Sequence, residues 1–545
     1  MFTNKKTLLA MSVASVFALS GCSSDDDKNE VVPDPVDPPV VVVPPEAPAE
    51  LGSVVNANIV DSESFDVVSS TVMFFESGVA SANVVDENGD VVTSVTTEDG
   101  NFSFLLKDGA DIDSVTAVVM ADGYIQKTFS IDLTELSDGD VDVLLPMTSE
   151  TATGVAVEET DAAVSGGSSA DAITGGVANG KATAAVTVPG GTQLQDANGD
   201  LITGDSVTLS VTAADTSSSA GAAITPEGLN AGATTTVKTP VGVASVEMVD
   251  SNGTKVKKFS QPITVSMAIP ADKGVSTGDM LTLVSQNEDT GVWTTETQQV
   301  EVKDLIADGS FYNASFMTDH LTFFAATEED EVCSSGVTLG LGGSAVPTSG
   351  LKVRLQSEDA TTIRTLAASN TTGTIISGAK AAELGISEEA TASVRVFDSE
   401  GYTWYESTGE VSICGTVADV NLEKPFEAEL VDETFSVSLV CAADSSATVT
   451  ASGSVVKYQR IKGEDDTSNP LRKKAPAVDG VEAGEYALTG LVAGSNYNVT
   501  VTYTGSLGFV NSIDGAKSFE ITADGTAEPQ SVTVSDCSEV TGSGS

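Results

Sequence analysis

The sequence predicts an all-β protein built from tandem β-sandwich modules. Three observations predict it. Long stretches alternate apolar and polar residues, as in Pro262-Ile-Thr-Val-Ser-Met-Ala-Ile-Pro270, which is the period of half-buried strands. Hydrophobic residues make up 40% of the chain but aromatics only 5%, so the cores are β-branched, as sandwich cores are. Helical periodicity is scarce; the best candidate is short, around 379–384 and 387–391. A chain of 545 residues has room for about three to five such modules.

The chain opens on a leader. Lys5 and Lys6 precede an apolar run from Leu8 to Leu19, and small residues follow. This is the three-part layout of a secretory signal, and the run is too short to span a bilayer permanently. Leu19-Ser20-Gly21-Cys22 resembles a bacterial lipobox. The resemblance implies that residues 1–21 are removed and that Cys22 carries the lipid. In Gram-negative lipoproteins an aspartate after the cysteine favours inner-membrane retention. Ser23 therefore implies the outer membrane, with the face left open. The alternative is an ordinary cleaved signal that ends in cysteine.

Residues 22–50 form the anchor and a tether. Val-Pro-Asp-Pro-Val-Asp-Pro-Pro and Val-Pro-Pro-Glu-Ala-Pro favour extended polyproline II, about 80 Å long at ~3.1 Å per residue. Its expected job is spacing.

Residues 51–148 read as the first module. Gly78-Val-Ala-Ser-Ala-Asn-Val-Val-Asp86-Glu-Asn-Gly-Asp90-Val-Val contains a hairpin turn. Thr97, Asp99, Gly100 and Phe102, then Ala121, Gly123 and Tyr124, resemble the carboxypeptidase regulatory-like family. That resemblance implies a seven-stranded, transthyretin-like sandwich without peptidase activity. Residues 149–174, notably Val164-Ser-Gly-Gly-Ser-Ser-Ala, read as a linker or a long surface loop.

Residues 175–328 read as the second module. The Gly291-Val-Trp293 strand and the late His320-Leu-Thr resemble a β-rich module of large bacterial surface proteins, related to a region of cartilage intermediate layer proteins. That family is extracellular and transfers no chemistry. Residues 329–424 read as an Ig-like third module and 425–545 as a fourth, Ig-like or prealbumin-like. Tyr486, Leu491, Gly494 and Tyr497 carry the latter resemblance. The tail from Thr541 is expected to be disordered.

Four cysteines follow Cys22. Cys333 opens the third module and Cys414 closes it; Cys441 and Cys537 stand likewise in the fourth. Position therefore pairs Cys333 with Cys414 and Cys441 with Cys537. An exported location permits oxidation, and loops of this length are worth about 4–5 kcal/mol in the chain-entropy model. The rival pairing joins Cys414 to Cys441 across two modules.

The net charge is −54, from 25 Lys+Arg against 79 Asp+Glu. Such a surface repels nucleic acid and anionic membranes. The acids are spread along the chain, so they mark a general surface rather than a docking tail. Histidine occurs once, at His320, which excludes multi-histidine zinc sites and leaves one candidate base for any triad. No Gly-x-Ser-x-Gly elbow or phosphate-binding Gly-rich loop is present. No cofactor is expected. Asp86, Asp90, Asp196 and Asp200 are weak calcium candidates; none completes a 12-residue calcium loop, and each sits in a turn that Asn-Gly explains by itself.

One basic cluster stands out: Lys457, Arg460, Lys462, Arg472, Lys473 and Lys474. It is a candidate grip for acidic sugars or a partner's carboxylates, or a solvated loop paired to Glu464, Asp465 and Asp466. The chain reads as a non-catalytic envelope lipoprotein acting in adhesion, envelope assembly or partner binding. The alternative is a surface carbohydrate-binding protein, for which only Trp293 and Trp404 are available as platforms.

Overall fold

The computed structural model describes residues 40–44, 51–306, 308–357, 361–463, 466–478, 484–503, 516–535 and 537–541. The chain is all-β, with tandem sandwich modules packed by alternation. Strand Asn496–Tyr503 shows the rule: Tyr497, Val499, Val501 and Tyr503 point inward while Asn498, Thr500 and Thr502 do not. The buried tyrosines of this core call for polar partners. Val492 N–H donates to Tyr497 Oη at 2.8 Å, and Tyr486 Oη donates to Ala451 O at 2.7 Å.

Three modules share one closure. In the first, the opening strand Val54–Asp61 pairs parallel with the last, Val141–Met147. In the third, Val337–Gly343 pairs parallel with Gly415–Leu422. In the fourth, Leu430–Cys441 pairs parallel with Glu528–Val534. Each closure sits in one of two facing sheets over a separate apolar core. The two disulfides lie beside these closures. Cys333–Cys414 and Cys441–Cys537 bridge Cα atoms 5.5 and 5.8 Å apart, as position-based pairing expects.

The region from Val155 to Glu331 is built differently. One eleven-stranded antiparallel sheet carries Val155–Ala163 at one end and Ile173–Asn179 at the other. The two end strands lie alongside each other, so the sheet wraps a single core of Val186, Leu209, Val246, Val265, Leu283 and their neighbours.

Four expectations need correction. Residues 149–174 are no linker, because Val155–Ala163 pairs through nine residues with Ser206–Ala214. Its Glu158, Glu159 and Asp161 face solvent, which hides the strand from a search for apolar alternation. The glycines that follow have a packing reason: a Cβ on Gly175 would stand 2.7 Å from Leu209, and one on Gly176 would stand 2.8 Å from Ala184 O. Only the first half of the helical candidate is helix, at Gly378–Glu383, with Ser377 Oγ accepting the Lys380 N–H. The tether is not wholly a free spacer, since Val40–Val43 pairs antiparallel with Ser538–Thr541. That pairing also places Thr541 in a strand. Residues 1–39, with Cys22, and 542–545 lie outside the described residues. The modules also pack against one another. The first touches each of the other three.

Candidate functional site

The contacts of the first module begin with its opening strand. Val55, Ala57 and Ile59 face its own core. The alternate positions Asn56 and Asn58 are also buried, at 0% and 5% exposure, because the fourth module covers them. Their Nδ2 groups donate to Arg472 O at 3.1 and 3.0 Å, and Arg472 N–H donates to Asn58 Oδ1 at 3.2 Å.

This is where the basic cluster is spent. Arg472 pairs with Asp99 and Lys474 with Asp140, both in the first module. Lys457 Nζ donates to Asn101 Oδ1 at 2.6 Å. Burial, aided by neighbouring Arg472, pushes Lys457 down to about 8. Lys462 donates to Asn469 at 2.9 Å. Arg460 pairs with Asp466 and bonds Ser468. Five of the six cations therefore meet partners beyond the solvated acidic loop that the sequence offered; Glu464 and Asp465 lie outside the described residues. The cluster is an internal clamp, which displaces the expectation of an open anion-binding loop.

At its centre is Glu400, a residue that sequence reasoning missed. It sits 2% exposed on the Asp398–Gly401 turn of the third module, which inserts into the fourth. Lys473 Nζ donates to Glu400 Oε1 at 2.8 Å and Arg460 Nε to Oε2 at 3.1 Å. Arg460 Nη2 also donates to Glu400 O at 3.2 Å. Burial by itself would lower Lys473; Glu400 overrides it and raises the ammonium above its ordinary range. Asp398 anchors the turn from within, accepting from Trp404 Nε1 and Tyr402 N–H, both at 2.8 Å. Burial pushes its carboxyl up to about 6. Gly401 has φ +85°, and a Cβ there would stand 2.5 Å from Asn469 N. A small apolar knot of Val60, Phe65, Phe397 and Leu471 closes the same junction. Phe65 holds φ 62°, rare for an aromatic residue, with Arg354 and Arg395 over its ring at 5.1 and 5.2 Å.

On its other side the first module meets the second and third around two adjoining cavities of about 330 and 380 Å³. Ser114, Ser130, Glu227, Gly228 and Lys238 line both. Lys127, buried in the first module, donates to Ala223 O at 2.7 Å, the carbonyl of the last residue of a short helix. Gln126 Nε2 donates to Glu288 O at 2.8 Å, and Glu227 Oε2 accepts the Ser130 N–H at 3.0 Å. Lys380 of the third module pairs with Asp132 and Glu383 at 2.8 and 2.9 Å. Neither Lys127 nor Arg364 makes an ion pair among the described residues; Arg364 Nη1 donates to its neighbour Ile363 O at 2.9 Å. Burial lowers both. Thr225 Oγ1, also on the wall, is buried without a partner.

The remaining candidates are placed as follows. Asp86 Oδ1 accepts the N–H groups of Asn88 and Asp90 at 2.8 and 3.0 Å, and Asp196 Oδ1 those of Asn198 and Asp200 at 2.8 and 2.9 Å. Gly89 and Gly199 supply φ +82° and +88°. Among the described residues no cluster of three or more His, Cys, Asp or Glu is placed to hold a metal. His320 bonds Thr318 Oγ1 at 3.0 Å and stands 3.4 Å from Glu296, packed on Phe324. Trp404 is core. Trp293 is half-buried, donates from Nε1 to Glu227 O at 3.0 Å and lines the second cavity. No helix among the described residues is long and apolar enough to cross a membrane.

No family model matches the chain, and no curated protein matches it. Among solved structures it is similar to the Bacillus anthracis TIE protein, at 11% identity and TM-score 0.14, over 75% of this chain and 63% of that one. It is similar to BcpA, the major pilin subunit of Bacillus cereus, at 8% identity and TM-score 0.13, over 89% and 99%. It is also similar to the major pilin SpaD of Corynebacterium diphtheriae, at 9% and 0.13, over 89% and 97%. At such TM-scores none of these carries an argument, and the fold rests on the chain's own sheets.

Proposed function

We propose that this chain is a non-catalytic envelope lipoprotein, held in the outer membrane through Cys22, that presents a rigid β-surface for adhesion, envelope assembly or partner binding. The observation that supports it most is the locking of the modules onto one another. Buried pairs at Glu400 and hydrogen bonds at Asn56 and Asn58 hold the array, and a surface held in one geometry favours recognition by lowering the ordering cost of binding. The regulatory-like likeness of the first module and the surface-protein likeness of the second fit the same role. Mass spectrometry of the mature N-terminus tests the anchor. A lipidated Cys22 is expected, and Cys22→Ser releases the protein from membranes. A chain that starts elsewhere, or an unmodified Cys22, refutes it. Pull-down from intact envelopes then identifies the partner.

A second reading, carbohydrate binding, is favoured by the cavities at the junction of the first three modules. Their walls are rich in serine and threonine, and Trp293 stands on one of them. A glycan array with the full chain tests it.

A further inference from the structure

We infer that the cleft between the first three modules binds a small carboxylated sugar, its carboxylate seated between Lys127 and Arg364. This rests on the carbohydrate reading and specifies its ligand. The charge of the wall is the first ground. Acids outnumber bases about three to one along the chain. The larger cluster of wall residues nonetheless carries Lys127, Lys238, Arg364 and Lys380, against Asp113, Asp132, Glu227 and Glu383. The wall is thus balanced in charge where the chain as a whole is strongly acidic.

The state of these cations is the second ground. Lys380 is neutralised by Asp132 and Glu383. Lys127 has one carbonyl and the Phe129 ring at 5.0 Å, Arg364 has its neighbour's carbonyl, and Lys238 has Thr295 Oγ1 at 3.3 Å. Lys127 is buried and Arg364 half-buried. Glu227 acts on both only from beyond ion-pair distance, and since buried charges are ordinarily paired closely, a ligand carboxylate has a place between them. A ligand carboxylate completes the pairing and gains a charge-assisted bond from the guanidinium.

The rest of the wall selects a hydroxylated body. Thr225 Oγ1 is a buried hydroxyl without a partner. Ser114 and Ser130 line both cavities, and Thr290, Thr294 and Thr295 line the second beside Trp293. An apolar acid would leave these groups unmatched, and a bare phosphate would fill a small part of the space. Cavities of a few hundred Å³ suit a ligand of one to three sugar rings.

The test uses the full mature chain with three probes: trigalacturonate, maltotriose and inorganic phosphate. Calorimetry is expected to show one trigalacturonate site and no measurable binding of the other two. Arg364→Gln is expected to weaken trigalacturonate at least about tenfold, the loss of one charge-assisted hydrogen bond. Lys127 ties two modules together, so its replacement risks the fold. Thr225→Val is the second variant, expected to weaken binding several-fold with the melting temperature unchanged. The proposal falls if trigalacturonate fails to bind, if maltotriose or phosphate binds as tightly, or if Arg364→Gln binds as wild type does. Binding of neutral glycans on an array, with trigalacturonate inert, would leave the carbohydrate reading standing and remove this inference alone.

Discussion

Replacing Glu400 by glutamine should loosen the fourth module from the third, with a size and a pH dependence that the geometry sets. The variant keeps the side chain's shape and removes its charge. Lys473, 7% exposed, then faces a neutral amide where it had a carboxylate oxygen at 2.8 Å. Arg460 keeps Asp466 and Ser468, so the ammonium, left with Thr489 O at 3.2 Å and the Tyr458 ring, is the group that loses its carboxylate. Removing one partner of a buried pair costs about 3–5 kcal/mol. A stranded lysine has one escape, which is to shed its proton. From an ordinary value near 10.4 that costs about 4–5 kcal/mol at pH 7, at ~1.4 kcal/mol per pH unit, and about 2 kcal/mol at pH 9. The penalty is therefore capped, and the cap falls as pH rises.

Urea unfolding followed by the fluorescence of Trp404, which donates to Asp398 of the same turn, reads this loss. Hydrogen exchange at Leu471 N–H, bonded to Ser399 O at 2.8 Å, reads the docking directly. The expected result is a loss of about 3–5 kcal/mol at pH 7 that shrinks to about 2 kcal/mol at pH 9. A loss below about 1 kcal/mol at pH 7 would show that Glu400 does not hold the turn. An equal loss at both pH values would assign the effect to packing rather than to a stranded ammonium.

Gly401→Ala should destabilise the same junction, because it combines a strained φ of +85° with a methyl placed 2.5 Å from Asn469 N; exchange protection across residues 460–473 checks it, and unchanged protection counts against it. Glu288, buried against Glu247 and bonded to Ser245, is pushed up to about 8 by burial first and Glu247 second, with Lys255 and Lys257 opposing and Asp289 paired to both lysines. A carboxyl raised above its unfolded value stabilises when protonated, so its contribution is present below about pH 4 and fades as pH rises towards 8. Stability should therefore climb as pH falls from 8 towards 5, and Glu288→Gln should flatten that climb in a pH series of melting curves. Asp466, held down to about 2 by Arg460 and Ser468 against its burial, has the opposite sign, and stability falls again below about pH 4. Chelation should leave the melting temperature unchanged, since the Asp86 and Asp196 carboxylates already accept their own turns' N–H groups; a rise in that temperature with added calcium would reverse this. Opening Cys333–Cys414 by paired alanines should lower stability by about 4 kcal/mol for a loop of 81 residues, measured by urea unfolding.

What the sequence made legible is what repeats locally. Alternation marks strands such as Asn496–Tyr503, Asn-Gly turns mark the hairpins at Gly89 and Gly199, and module-end cysteines mark the two bridges. What stayed hidden depends on a second surface. Asn56 and Asn58 alternate with Val55 and Ala57, so pattern alone puts them in water; only the fourth module's coverage makes them buried. Lys457, Arg472 and Lys474 are as polar on an interface as on a free loop, and their partners Asn101, Asp99 and Asp140 lie more than three hundred residues away. Glu400 in Asp-Ser-Glu-Gly reads as one turn acid among 79. Strand Val155–Ala163 was lost for the same reason, because its outward Glu158, Glu159 and Asp161 imitate a linker.

The distribution of basic residues follows from this. A chain this acidic repels itself, and modules joined by linkers alone would stand apart. Several of its few cations stand where modules meet: Lys473 and Arg460 on Glu400, Arg472 on Asp99, Lys474 on Asp140, and Lys380 on Asp132. Pairs such as Arg472–Asp99, with the acid 48% exposed, are screened by salt, while Glu400 at 3% side-chain exposure is not. Added salt therefore acts in two directions. It weakens the outer pairs and relieves the repulsion between acidic faces, and the buried Glu400 socket holds the register throughout. An array built this way is expected to keep its geometry as ionic strength rises, which small-angle scattering in a salt series checks.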